Sequence, residues 1–89
     1  MTLKIVRIRE KGKIRIRLSG EIRFADLEDV RAEIARAARP VILDLEEIDL
    51  LDIHAIRWLN ACQAQGIQVE HCAPYICEWM SQEKLGEEN

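Results

Sequence analysis

The segment 41–66, VILDLEEIDLLDIHAIRWLNACQAQG, constrains the possible folds of this chain more than any other. It opens on an almost unbroken apolar run, Val41-Ile42-Leu43-Asp44-Leu45, set between Pro40 and the acidic pair Glu46-Glu47. So short a run, rich in β-branched residues and bounded by breakers, predicts a strand buried on both faces. The period then changes. From Asp52 onward, Ala55, Ile56, Leu59 and Cys62 fall at the spacing of one helix face. Asp52 fits an N-cap, because its carboxylate can accept from the free amides of the first turn. Gly66 fits the stop, since glycine adopts the left-handed conformation there without steric cost. Residues 67–70 read as a further strand, so the unit is strand, acidic loop, helix, strand, with the two strands parallel. Leu43, Ile56, Leu59 and Val69 are the positions expected to be deeply buried.

The flanking segments complete a small α/β domain. Residues 4–9 and 13–18 alternate around Glu10-Lys11-Gly12 and predict a hairpin. Val6 and Ile8 are expected on the core face with Ile14, Ile16 and Leu18. Arg7, Arg9, Lys13, Arg15 and Arg17 are expected on the other face, as solvated charges that discourage edge pairing. Ser19-Gly20 is expected to break the second strand. A helix over 26–38 follows, with Leu27, Val30 and Ile34 inward and the pairs Glu28–Arg31 and Glu33–Arg36 outward. Pro40 ends it. Pro74 opens a last helix with the stripe Ile76, Trp79, Met80, extended by Cys72 before it. Residues 82–89 read as a flexible acidic tail. The expected architecture is one domain over 1–89 in the order β-β-α-β-α-β-α, a small mixed sheet with an N-terminal antiparallel hairpin and helices chiefly on one face.

Charge is distributed unevenly. Residues 1–23 carry eight Lys/Arg against two acids, and residues 24–89 carry five against fourteen, so +6 and −9 make the net −3. The expectation is that these charges occupy different surfaces and that association with a partner, or with a second copy in a homodimer, weakens with salt. The basic hairpin lacks the interleaved aromatics of a nucleic-acid surface, so no nucleic-acid partner is expected. No apolar stretch approaches the roughly 20 residues of a bilayer span, so no membrane insertion is expected. The first residues lack the apolar core of a secretory signal, and three cysteines do not make a disulfide framework; both point to the cytoplasm.

Residues able to do chemistry are present but not in catalytic patterns. Asp44, Glu46, Glu47, Asp49 and Asp52 crowd together without the spacing or central glycine of a calcium loop; Asp44 lies inside the strand, Asp52 is needed as the cap, and the cluster reads as a solvated acidic loop. Cys62, Cys72 and Cys77 with His71 lack a Cys-x2-Cys knuckle, and the thiols read as core packing. There is no phosphate loop, dinucleotide fingerprint or nucleophile–base set. No catalytic residue, metal or cofactor is therefore expected, and the chain is read as a non-enzyme. A small-molecule or metal-binding domain stands as a third possibility behind the two interaction roles below.

The element order, with Leu43-Asp44-Leu45, Ile48 and Leu51-Asp52 followed by a helix and Gly66-Ile67, resembles the STAS domain over roughly residues 13–80. That family includes bacterial anti-sigma factor antagonists and accessory subunits of ABC lipid transporters. The resemblance implies a regulatory protein–protein interaction module whose partner is an anti-sigma or kinase-like protein, or alternatively a transporter ATPase. It places the contact at the start of the helix that opens at Asp52, hence at Asp52, Ile53, His54, Arg57 and Trp58. The family pattern there is Asp-Ser-Ser-Gly, with the second serine phosphorylated. This chain reads Asp52-Ile53-His54-Ala55, so the aspartate matches and His54 stands at the phosphoacceptor position. The hydroxyl residues, Thr2, Ser19, Tyr75 and Ser81, all lie outside the central unit, so docking is implied without a serine switch.

Overall fold

The protein is described by a computed structural model covering residues 3–87. Among these residues, four strands form one sheet in the order β1-β2-β3-β4: β1 Lys4–Glu10, β2 Lys13–Ile22, β3 Val41–Leu51 and β4 Gln68–Glu70. The helices are α1 Leu27–Arg36, led by a 3-10 turn over Phe24–Asp26, then α2 Ile53–Ala64 and α3 Pro74–Glu87. β1 and β2 are antiparallel, whereas β2–β3 and β3–β4 are parallel. This is the expected α/β architecture, with β3 inside the sheet and paired in parallel with β4. Both crossovers, β2-α1-β3 and β3-α2-β4, advance the same way across the sheet. Right-handed connections therefore lay α1 and α2 on the same face.

That face carries the core. Ile14, Ile16, Leu18, Val41, Leu43 and Leu45 from the strands pack with Leu27, Val30, Ile56, Leu59, Ile76 and Met80 from the helices. Leu43, Ile56 and Leu59 are fully buried as expected, but Val69 is only half-buried, because β4 is the short edge strand. Buried Asn60 of α2 donates to the Met80 carbonyl of α3 at 3.0 Å and ties the two helices together. Gly66 has φ 91, the left-handed stop after α2.

The hairpin faces are not those expected. Its turn pairs Glu10 with Lys13, so even positions of β1 share a face with odd positions of β2. Val6 therefore lies opposite Arg17 and Ile8 opposite Arg15, on the face away from the helices, while Ile5 lies opposite Leu18 on the core face. Arg7 and Arg9 fall on the helix side, where Arg7 reaches Glu33 of α1 at 3.2 Å. The basic residues are thus divided between faces, and several pair with acids from the rest of the chain. The +6 and −9 regions do not form separate surfaces.

Three segments differ in extent from the expectation. β2 continues through Ser19-Gly20, with register shifts there and φ 94 at Gly20 absorbing the irregularity. β3 correspondingly runs on to Leu51, so Glu46, Glu47 and Asp49 belong to a strand and not to a loop; Ser19↔Glu47 and Glu21↔Leu50 are ladder partners. α3 remains helical to Glu87, so the expected tail is largely helix; 88 and 89 lie outside the described residues. No helix among the described residues is long and apolar enough to cross a membrane.

Candidate protein interface

α2 begins where β3 leaves the sheet, and Asp52 organises that point. Its Oδ1 accepts from the Ala55 amide at 2.9 Å and its Oδ2 from the Phe24 amide at 2.9 Å. Burial works to raise the Asp52 pKa, but the amides of Ala55 and Phe24 outweigh it and hold the carboxyl below its ordinary value. One carboxylate thus caps α2 and fixes the turn that leads into α1. Asp52 is a structural organiser, with its oxygens committed inward.

The first turn projects past the end of the sheet, so its side chains are less covered than those a turn later. His54 is exposed, its ring centroid 4.9 Å from that of Phe24 at an interplanar angle of 56°. Ile53 is half-buried. Arg57 is exposed and donates through Nε to Glu83 of α3 at 3.0 Å. Trp58 is only 7% exposed, which corrects its place among the contact residues implied at this helix start. One turn into the helix, its indole already lies against α1 and belongs to the core cluster.

Three apolar side chains at this end were not singled out by the sequence. Phe24 is 64% exposed, Leu50 58% and Tyr75 52%. Phe24 packs against His54 with the rings tilted, and Tyr75 donates its hydroxyl to the Asp49 carbonyl beside Leu50 at 3.2 Å. The C-terminal end of β3, the 3-10 turn, and the first turns of α2 and α3 therefore bring Phe24, Leu50, His54 and Tyr75 to one end of the molecule. Phe24 lies on no apolar stripe of a strand or helix, and that is the signal by which sequence reasoning could have found it. Exposed apolar residues gathered on one end are the kind of surface that protein partners cover.

The sheet face away from the helices holds a second polar constellation. Asp44 is fully buried there. Its Oδ2 accepts from Arg15 Nη1 at 3.1 Å and lies 3.5 Å from Arg17 Nε, while its Oδ1 accepts from the Glu46 amide at 3.0 Å and lies 3.0 Å from His71 Nδ1. Arg15 also donates to Glu10 at 2.7 Å and Glu70 at 2.9 Å. Burial pushes Asp44 upward, but the Glu46 amide, His71 and Arg15 together hold its pKa below the ordinary value. His71 is raised by its hydrogen bond to Asp44 and by that carboxylate's charge. Donor atoms of Asp44, Glu46 and His71 lie within 4.8 Å of one another, a spacing a metal ion could use. Both Asp44 oxygens are already engaged, however, and two guanidiniums sit beside them, so the arrangement acts as a structural charge network across β2, β3 and the residue after β4.

The thiols also separate. Cys62 is buried in the core stripe as expected, but Cys72 is half-buried and Cys77 exposed, with Cys77 Sγ 3.5 Å from the Cys72 carbonyl. Cys77 falls on the outer side of the first turns of α3, so core packing does not account for it.

No family model and no curated protein matches this sequence. Among solved structures, the chain is similar to one titled "Crystal Structure Analysis of Mglu", with 29% identity and a TM-score of 0.58. That alignment covers 73% of this chain and 18% of the other, so this chain spans less than a fifth of that protein. The likeness agrees with a small α/β domain.

Proposed function

We propose that this chain is a non-enzymatic regulatory module of STAS type, which docks on a protein partner through the end of the sheet where α2 begins. The observation that carries the reading is the exposed group Phe24, Leu50 and Tyr75 around His54. The STAS resemblance implies partner contact at this same helix start, and the exposed group and the implied contact share His54, with Ile53 and Arg57 beside it. Trp58 leaves the set because it is buried, and Asp52 acts by shaping the surface. The match to 18% of a longer chain supports a module-like fold, one that occurs as a minor part of a larger protein.

The partner class we favour is an anti-sigma or kinase-like ATPase; the alternative is the ATPase of an ABC lipid transporter, for which the same surface would serve. The test is site-specific photocrosslinking in the source cell, with the crosslinker at Phe24, at His54, or at Arg36 on the far end of α1. A discrete adduct from Phe24 and His54 but not from Arg36 is expected, and the identity of the adduct separates the two partner classes. Adducts from Arg36 alone would move the interface elsewhere. Replacing His54 with Asp should weaken capture while His54→Ser retains it.

A further inference from the structure

We propose that the groove between α1 and α2 binds a medium-chain aliphatic carboxylate, with Arg31 holding the carboxylate and Ile34, Trp58 and Ile67 holding the chain. The groove has a volume of about 310 Å³ and is lined by Arg31, Ile34, Ala35, Trp58, Ala61 and Cys62, with Gln65 and Ile67 at its end. That volume lies at the lower edge of the range in which small-molecule pockets fall, roughly 300–1,000 Å³. It exists because Ala35 and Ala61 stand where larger side chains would close the gap between the helices.

The lining selects the ligand. Arg31 is its one charged residue, and among the described residues its guanidinium makes no hydrogen bond or ion pair; the Glu28–Arg31 pair expected along α1 is not formed. Burial raises the Cys62 thiol to about 11, so it stays neutral and presents a small apolar surface at ordinary pH. A guanidinium beside an otherwise uncharged, mostly apolar groove is complementary to one anionic head on an aliphatic chain. The planar fork of arginine fits a carboxylate through two parallel hydrogen bonds. The volume admits a chain of medium length, with its head at the exposed Arg31. The site lies on the later turns of α2, away from the end at which His54 and Phe24 meet.

The test is a two-dimensional ¹H–¹⁵N NMR titration of the full chain with octanoate and with octanol, in wild type, Arg31→Gln and Ala61→Phe. Octanoate should give saturable shifts confined to Arg31, the Trp58 indole, Ala61 and Gln65. Octanol should bind about tenfold more weakly, as should octanoate to Arg31→Gln, each a loss of one charge-assisted contact. Ala61→Phe, at an exposed helix position, should abolish both by filling the groove. The proposal fails if no saturable shifts appear or if they fall outside the groove. It fails equally if octanoate and octanol bind alike with Arg31→Gln unaffected, or if the same resonances shift with protein concentration alone, which would assign the groove to a second copy of the chain.

Discussion

His71 Nδ1 lies 3.0 Å from Asp44 Oδ1, joining the residue after the edge strand β4 to a carboxylate buried in the inner strand β3. The contact couples stability to pH in two directions. His71 is raised above its ordinary value by Asp44, so its contribution is fully present below the unfolded histidine pKa of about 6.5 and is lost as pH rises through the folded value. Asp44 is depressed, so its contribution is present above the unfolded aspartate pKa of about 3.9 and is lost as pH falls through the folded value. The two windows overlap between those ordinary values, where this pair stabilises most. Urea unfolding of wild type and His71→Asn across pH should show a difference that is largest in mildly acidic solution and shrinks on the alkaline side.

Asp44→Ala removes the one carboxylate shared by Arg15, Arg17, His71 and the Glu46 amide. Arg17, His71 and the Glu46 amide lose this carboxylate together while Arg15 keeps Glu10 and Glu70, a change that costs about 3 kcal/mol where a buried ion pair is broken. Equilibrium urea denaturation measures it. A loss below about 1 kcal/mol would mean that the arginines simply turn to solvent.

Asp52→Ala should cost about 1–2 kcal/mol, since the cap of α2 and the bond to the Phe24 amide vanish together. The same carboxylate is held below its ordinary pKa, so this part of the stability is lost as pH falls through the folded value. Asp52→Asn should recover part of the loss, because the amide oxygen can still accept.

Leu59→Ala should destabilise by about 2–5 kcal/mol, as Leu59 is fully buried between α2 and the sheet. Val69→Ala should cost clearly less, about 1 kcal/mol, because the edge strand leaves Val69 half-exposed. Thermal or urea unfolding of the two variants, made side by side, checks the order.

Thiol reagents should modify Cys77 first. Cys72 is raised to about 12 and Cys62 to about 11 by burial first of all, so both stay protonated and shielded in the native protein. Mass spectrometry of native protein treated with a thiol-reactive disulfide should show one fast addition, and denaturant should release the other two.

Much of this architecture is written in local pattern. The strand 41–45, the cap at Asp52, the helical stripe through Leu59 and Cys62 and the stop at Gly66 each depend on neighbours within one or two turns, so the parallel unit β3-α2-β4 follows from the residues alone. Register, crossing geometry and the ends of the strands depend on segments distant in sequence. The sharing of faces between Val6 and Arg17 was set by pairing across the turn, and the continuation of β3 past Glu46 by a partner strand, β2, that bends at Gly20 without ending. Alternation shows that a strand has two faces; only the paired strand shows which face looks inward.

The candidate site divides along the same line. That the start of α2 is a distinctive place could be read from Asp52 and the change of period. The burial of Trp58 and the exposure of His54, one turn apart on the same helix, could not, because α1 covers one turn and the sheet ends beneath the other. Phe24, Leu50 and Tyr75 come from three separate segments and meet only when the chain has folded, as do Arg15 and Asp44 across β2 and β3. Short-range periodicity determined the elements of this protein; tertiary packing alone decided which side chains those elements present together, since burial and electrostatics act between surfaces that the linear chain keeps apart.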